Sequence, residues 1–319
     1  MRVILYSSMA GEEIAARLTA NPAIKLVIAR NMDEVLAALP EAEVLALPTA
    51  VYDRNFAVAL RERAACLRFI QLVSAGYEGP QMYGVPAAVR VANAGDAWAG
   101  AVAEHAIALL LALAKRLSDS IAVQRRHAWE RAHAARMTTL DGATLCVVGF
   151  GHIGREVARL ARAFGAHILA VSRKGEPHAL ADEAMPVREL HTALGRSDAI
   201  VLALSYSSES DGMFDAAEFA ACKPGALLVN VARGGLVDEA ALREALMNGR
   251  LGGAALDVTV REPLPADDPL WDVPNLIITP HMAGASGPRG RARLAAVVAD
   301  NIDRFVAGKE VRHLVPIPQ

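Results

Sequence analysis

"TLCVVGFGHIGREVARLARAFG", Thr144 to Gly165, decides how the rest of the chain is read. It opens with an apolar run, Leu145 to Val148, of the kind carried by a parallel strand buried on both faces. Its second half spaces Val157, Leu160, Ala161 and Phe164 as one face of an amphipathic helix. Between the two, Gly149, Gly151 and Gly154 stand in G-x-G-x-x-G spacing. The bare spacing is a weak signal; between a strand and a helix it acquires a mechanism. Gly149 makes the tight turn, Gly151 lets backbone approach a pyrophosphate, and Gly154 lets helix and strand pack closely. The free N–H groups at the helix start, around Phe150, His152 and Ile153, then face the anion. A dinucleotide is the expected ligand of this loop.

Outward from this stretch, strand and helix patterns alternate in both directions. Downstream, "HILAVS", "AIVLAL", "ALLVNVA", "GGAALDV" and "LIITPH" read as central parallel strands. Upstream, "VILYS" precedes "GEEIAARLTA", "KLVIA" precedes "MDEVLAALP", "VLALP" precedes "NFAVALRERA", and "RFIQLVSAG" follows. Such alternation builds parallel sheets covered on both faces. The fold class is therefore α/β, with two doubly wound parallel-sheet domains. A long Ala/Leu-rich helix near Gly100 to Leu117 joins them, and a last helix, about Gly290 to Ala307, returns to the first.

The bulk composition narrows the function classes. The chain has 319 residues, 53% hydrophobic and 21% charged, with net charge −2, so there is no basic excess to meet nucleic acid. Cys66, Cys146 and Cys222 are dispersed and form no metal or disulfide framework, which fits a reducing cytosol. The N-terminal "MRVILYSSMAGEE" has too short an apolar run for a signal peptide. "AIALLLALA", Ala106 to Ala114, is too short to span a membrane, which takes about 20 apolar residues. It reads as a buried helix.

The strand "HILAVS" ends where a nicotinamide-dinucleotide domain ordinarily places an acid for the adenosine ribose. Here Ser172, Arg173 and Lys174 stand instead. A hydroxyl followed by two cations suits a 2′-phosphate, which Arg173 can grip in a fork and Lys174 as a point charge. NADP(H) is therefore the expected cofactor, with NAD(H) as the alternative if the stretch is only a basic turn.

Three further segments carry charged residues just beyond strands: "LLVNVARGGLVDEAAL" with Arg233, "AALDVTVREPLP" with Asp257 and Glu262, and "NLIITPHMAG" with His281. Ligands of open α/β sheets bind at such strand ends. In order and spacing, "GFGHIG", "NVARGGLVDE", "LDVTVREPLP" and "TPHMAG" make the chain resemble the D-isomer-specific 2-hydroxyacid dehydrogenase family over nearly its whole length. "NAGDAWAGAVAEHAIALLLALAKRL" is similar to that family's inter-domain helix, which packs at a twofold dimer interface.

The resemblance implies a Rossmann cofactor domain over residues 97–287 and a flavodoxin-like substrate domain over 1–96 and 288–319, working as a cytoplasmic homodimer. It implies that Arg233 polarises a ketone and contacts a carboxylate, that His281 is the general acid, and that Glu262 orients it and favours its protonated form. Asp257 is similar to the residue that meets the nicotinamide carboxamide. The resemblance also places Leu204, Ser205, Val231, Ala232, Ala283 and Gly284 against the cofactor. "VSAGYEGP" resembles the substrate loop, with the N–H groups of Ala75 and Gly76 on the substrate carboxylate; "GYEG" departs from the aspartate that many relatives carry there. Trp98 stands close to the hinge, as a wall of the pocket or as a core residue. The other eight histidines read as ordinary, although His105 lies on the interface-like helix.

The activity expected is NAD(P)H-dependent reduction of a small 2-keto acid of the glyoxylate or hydroxypyruvate type, with domain closure expelling water. Bulkier 2-keto acids such as phenylpyruvate are the nearest alternative. A formate dehydrogenase is disfavoured because such relatives resemble a pattern with glutamine where Glu262 stands. A phosphoglycerate dehydrogenase fits less well because the chain, ending at Gln319, leaves no room for a regulatory extension. From a different class, the family also resembles corepressors that sense the nucleotide. No metal is expected.

Overall fold

The computed structural model describes residues 1–317. Residues 1–98 together with residues 286–317 make one compact unit, and Ala99–Ala285 make the other.

The first unit is built on β1 (Arg2–Leu5), α1 (Gly11–Thr19), β2 (Lys25–Ile28), α2 (Met32–Ala38), β3 (Val44–Leu47), α3 (Arg54–Arg63), β4 (Phe69–Leu72), α4 (Glu78–Tyr83) and β5 (Arg90–Ala92). Its five strands are parallel, in the order β2-β1-β3-β4-β5, which is the flavodoxin-like winding. The central β3 and β4 are buried throughout. Asn31 and Asp53 start α2 and α3 by accepting the Glu34 and Phe56 N–H groups at 2.9 and 2.8 Å.

The second unit begins with α5 (Ala99–Ala114) and α6 (Leu117–Arg125), then β6 (Thr144–Val148), α7 (His152–Arg162), β7 (His167–Ser172) and β8 (Glu183–Pro186). It continues with α8 (Leu190–Arg196), β9 (Ala199–Leu202), α9 (Ala216–Ala221), β10 (Ala226–Asn230), α10 (Glu239–Met247), β11 (Leu251–Leu256) and β12 (Leu276–Ile278). The parallel order is β12-β11-β10-β9-β6-β7-β8. Counted from β6 this is 3-2-1-4-5-6-7, the Rossmann winding with one added strand. The order reverses between β6 and β9, so the binding crevice of such a sheet opens beyond their carboxyl ends. The apolar α5 packs against α7, β10 and β11.

The chain returns to the first unit as α11 (Gly287–Val306), whose Leu294, Val298, Ile302 and Phe305 pack with Val3, Leu5, Ile14 and Phe69. Asn301 of α11 donates to Gln71 of β4 at 2.9 Å within this core. No helix among the described residues is long and apolar enough to cross a membrane.

Two expectations about elements need correction. Phe164 is not on the buried face of α7: the helix ends at Arg162 and Phe164 stands 45% exposed in the turn beyond. The face that is buried is Gly154, Val157, Ala158 and Ala161, an i, i+3, i+4, i+7 stripe. Strands β5 and β8 were also not anticipated; both are short and lie at sheet edges, where no long apolar run is required.

Candidate active site

Strands β10, β11 and β12 end side by side, and the loops after them carry the charged residues singled out above: Arg233 after β10, Asp257 and Glu262 after β11, and His281 after β12. The turn after β10 is closed by Asn230, which is fully buried: its Oδ1 accepts the Ala232 N–H at 3.0 Å and its Nδ2 donates to the Arg233 carbonyl at 2.9 Å. Both ends of the turn are thereby satisfied by one side chain, and Arg233 projects from it with Nη1 2.6 Å from the Ala232 carbonyl. At the next residue, Gly234, any Cβ would collide with the backbone of Thr259. This close approach seats the Arg233 turn on the loop that follows β11.

That loop holds Glu262 in place through its own backbone. Thr259 Oγ1 donates to the Arg261 carbonyl at 2.8 Å, the Thr259 N–H donates to Glu262 Oε1 at 3.2 Å, and the Val260 N–H donates to Glu239 Oε1 at 2.7 Å. The second oxygen of Glu262, Oε2, lies 2.6 Å from His281 Nδ1. Nδ1 is thus engaged by the carboxylate, and Nε2 is the nitrogen left to face a reactant.

His281 has φ of 49°, in the left-handed region, where a side-chain-bearing residue costs about 1–3 kcal/mol and persists only when its surroundings over-determine it. Its N–H donates to the carbonyls of Asp257 and Thr279 at 2.7 and 3.0 Å. The Asp257 side chain, only 1% exposed, secures the rest of the loop. Its Oδ1 accepts the Thr279 hydroxyl at 2.6 Å and the Met282 N–H at 2.9 Å, and its Oδ2 accepts the Ala283 N–H at 2.9 Å.

Charge follows the geometry. The hydrogen bond that His281 donates to Glu262 lifts His281 above its ordinary pKa of 6.5, against burial and the Arg233 charge, with the charges of Glu262 and Asp257 adding to the rise. Burial pushes the Glu262 carboxyl up, but the hydrogen bond and charge of His281, the Thr259 N–H and Arg233 outweigh it and hold it below its usual value. Each partner therefore favours the other's charged form.

On the other flank of the sheet, the phosphate loop passes a steric test for a dinucleotide. Gly149 has φ of +94°, and a Cβ there would stand 2.5 Å from the Leu204 backbone. A Cβ on Gly154 would collide with the Gly149 carbonyl, whereas one on Gly151 would meet nothing within 4 Å. Two glycines are thus filled by neighbouring backbone and the middle one opens outward, at the start of α7, where no side chain caps the helix. The residues fit a pyrophosphate. Leu204 and Ser205 follow β9 on the facing side, Val231 and Ala232 follow β10, and Ala283 and Gly284 follow His281. At the tip of β7, Ser172 Oγ accepts the Gly175 N–H at 3.1 Å, while Arg173 and Lys174 are exposed. Lys174 lies 3.7 Å from Glu176, a surface pair of small energetic weight.

In the first unit, Ala75 and Gly76 lie between β4 and α4. Asn93 Nδ2 donates to the Ala75 carbonyl at 2.7 Å and Ser74 Oγ to the Gly76 carbonyl at 3.1 Å. Trp98 Nε1 donates to the Val73 carbonyl at 3.1 Å, which makes it a brace of this loop.

Sequence reasoning did not single out Asn230, Glu239 or Thr279, and it gave Asp257 no part in shaping the His281 loop. The signal was present in one case: an asparagine closing the wholly apolar run "ALLV" has to be paired internally. A cavity of about 720 Å³ opens at the opposite, amino edge of the sheet. Arg116 and Arg136 of its lining pair with Asp119 and Lys223 with Asp198, and it takes no site residue.

Residues 107–283 match the family model described as "D-isomer specific 2-hydroxyacid dehydrogenase, NAD binding domain". The chain is 33% identical over 317 residues to D-3-phosphoglycerate dehydrogenase of Mycobacterium tuberculosis, covering 99% of this chain and 59% of that protein, so it spans about three-fifths of that relative. It is 35% identical over 261 residues to glyoxylate reductase of Korarchaeum cryptofilum, covering 80% and 77% of the two chains. Among solved structures, it superposes with TM-score 0.84 and 25% identity, over 98% and 97% of the chains, on an NADPH-dependent glyoxylate/hydroxypyruvate reductase from Sinorhizobium meliloti in complex with NADP and sulfate.

Proposed function

We propose that this chain, which belongs to the D-isomer specific 2-hydroxyacid dehydrogenase family, reduces a small 2-keto acid of the glyoxylate or hydroxypyruvate type to the D-2-hydroxy acid, with NADPH preferred. The observation that carries the reading is the 2.6 Å pairing of His281 with Glu262 beside Arg233, at the ends of three adjacent strands.

The chain's own residues account for what such a reduction demands. Arg233 offers a planar fork of donors, suited to a substrate carboxylate and to the carbonyl oxygen beside it. As that oxygen gains negative charge, the guanidinium interaction strengthens, which is how a fixed charge lowers a barrier. His281 gives the proton from Nε2 to the oxygen, and the Glu262 carboxylate stabilises the imidazolium beforehand. In the oxidation direction neutral His281 takes the same proton back. Ala75 and Gly76 would hold the substrate carboxylate. Gly149 to Gly154 would hold the pyrophosphate of the dinucleotide, and Ser172, Arg173 and Lys174 its adenosine end. The Asp257 side chain would meet the nicotinamide carboxamide. Bound nicotinamide supplies the hydride.

The preference for NADPH rests on the missing acid at Ser172 and the two cations after it, and is supported by the S. meliloti reductase, which binds NADP. The same reading takes the protein as a cytoplasmic homodimer. A second reading, 3-phosphoglycerate oxidation, is favoured by the match to the mycobacterial enzyme over 99% of the chain. Initial rates with glyoxylate, hydroxypyruvate and phenylpyruvate, each with NADPH and NADH, and with 3-phosphoglycerate and NAD, separate these. Faster turnover of glyoxylate or hydroxypyruvate with NADPH is expected. Binding of NADPH without turnover of any of them would instead identify a nucleotide sensor.

A further inference from the structure

His105 sits on α5 with its ring turned to the underside of the His281 loop, its side chain 21% exposed. Its Nε2 is 3.0 Å from Thr279 Oγ1 and 3.4 Å from Asp257 Oδ1. The Thr279 hydroxyl has a single proton and lies 2.6 Å from that same carboxylate oxygen, which has none to give. The hydroxyl proton is therefore committed to Asp257. It follows that His105 Nε2 bears a hydrogen and donates it to Thr279, and at longer range to Asp257.

This chain of donors ends on the residue that shapes the His281 loop. Asp257 receives the His281 N–H on its carbonyl and the Met282 and Ala283 N–H groups on its carboxylate, so the left-handed backbone of His281 is held through Asp257. A buried carboxylate keeps its charge and position only while donors surround it. The Met282 and Ala283 donors belong to the loop being held, and Thr279 opens that loop. His105 is the donor that comes from a separate, rigid element. That element, α5, also packs against α7, the helix that begins at the phosphate loop.

We infer that His105 is a positioning residue: through Thr279 and Asp257 it anchors the His281 loop to α5 and so fixes where the His281 imidazole points. The part that concerns turnover rests on the proposed function; the anchoring of the loop does not. One helix then sets both the phosphate loop and the proton donor, so their spacing does not depend on the loops alone.

The test compares the full-length protein with His105→Leu, His105→Gln and Thr279→Val. Glutamine places an amide N–H near the position of Nε2, leucine fills the space without a donor, and valine breaks the chain at its middle link. The expected result is a fall in kcat of about tenfold for the leucine and valine variants, the size of effect that modest misplacement of a catalytic group produces. Their KM for NADPH should stay within about twofold, and the glutamine variant should keep most of the wild-type kcat. The second readout needs no turnover: NMR titration of the His281 ring, which Glu262, Arg233 and Asp257 face. His281 should titrate above 6.5 in the wild type and in His105→Gln, and move back toward 6.5 in His105→Leu and Thr279→Val as its pairing with Glu262 loosens. Identical His281 titration in all four proteins overturns the inference. So does a glutamine variant as impaired as the leucine one with equal loss of thermal stability, which would mark His105 as a packing residue only. If the wild type turns over no 2-keto acid, the proposed function fails, and the titration alone decides the anchoring.

Discussion

His281 Nδ1 and Glu262 Oε2 lie 2.6 Å apart although 19 positions separate them and each arrives on the loop of a different strand. The pair is half exposed on the histidine side, so its importance lies in direction and protonation more than in binding the fold together. With Nδ1 engaged, the ring has one nitrogen left for proton transfer. His281→Ala should lower kcat for 2-keto acid reduction by about 10²–10⁴-fold, the scale of general acid catalysis, with KM for NADPH little changed. Near-normal turnover of this variant would remove His281 from the mechanism.

The pairing also predicts a pH dependence. Reduction uses imidazolium, so kcat/KM for the keto acid should be full at low pH and fall as pH rises through the His281 pKa, which Glu262 holds above 6.5. Oxidation of the hydroxy acid needs neutral imidazole and should rise over the same interval. Glu262→Gln removes the carboxylate charge, so both midpoints should move toward lower pH. A profile that Glu262→Gln leaves in place would show that some other group titrates.

At the adenosine end, Arg173 is exposed just beyond β7. Arg173→Ala should raise KM for NADPH by about tenfold, equivalent to one charge-assisted hydrogen bond weakened by solvent, and leave KM for NADH unchanged. Paired measurements with the two cofactors decide it: equal effects on both would mean that the residue does not read a 2′-phosphate.

Asn230 supports Arg233 from below. Asn230→Ala leaves the buried Ala232 N–H without its partner and the Arg233 carbonyl with only the Leu236 N–H, and an unsatisfied buried group costs about 1–3 kcal/mol. A lower unfolding temperature is expected, together with a drop in kcat/KM for the keto acid larger than that for NADPH binding. Unchanged thermal unfolding would show that the turn is closed in some other way.

Most of the sheet architecture was legible because its strands are long apolar runs and its phosphate loop couples a glycine pattern to a strand and a helix. Two edge strands escaped: "RVA" is only three residues long, and "EAMP" has no fully buried position to impose a pattern. Arg233, Glu262 and His281 stood out because each lies within six residues of the end of a strand, in a segment that resembles the family's pattern. What holds them did not. Asn230, Glu239, Thr279 and His105 act through one or two hydrogen bonds each to partners 2 to 174 positions away, and apart from the asparagine that closes "ALLV" nothing in local periodicity marks such partners. His105 is the clearest instance: on a helix rich in alanine and leucine it looks incidental, and only the fold shows that its ring faces Thr279.

The strand order of the second sheet has a consequence for how such a protein can diversify. The reversal between β6 and β9 puts residues 149–154 and 172–174 on one flank and residues 233, 262 and 281 on the other. On the proposed function, changes that retune which nucleotide is accepted would fall on different strands from changes that retune proton chemistry, and distant substitutions combine additively. Variation can explore the two properties independently, one flank at a time, without first undoing what the other has achieved.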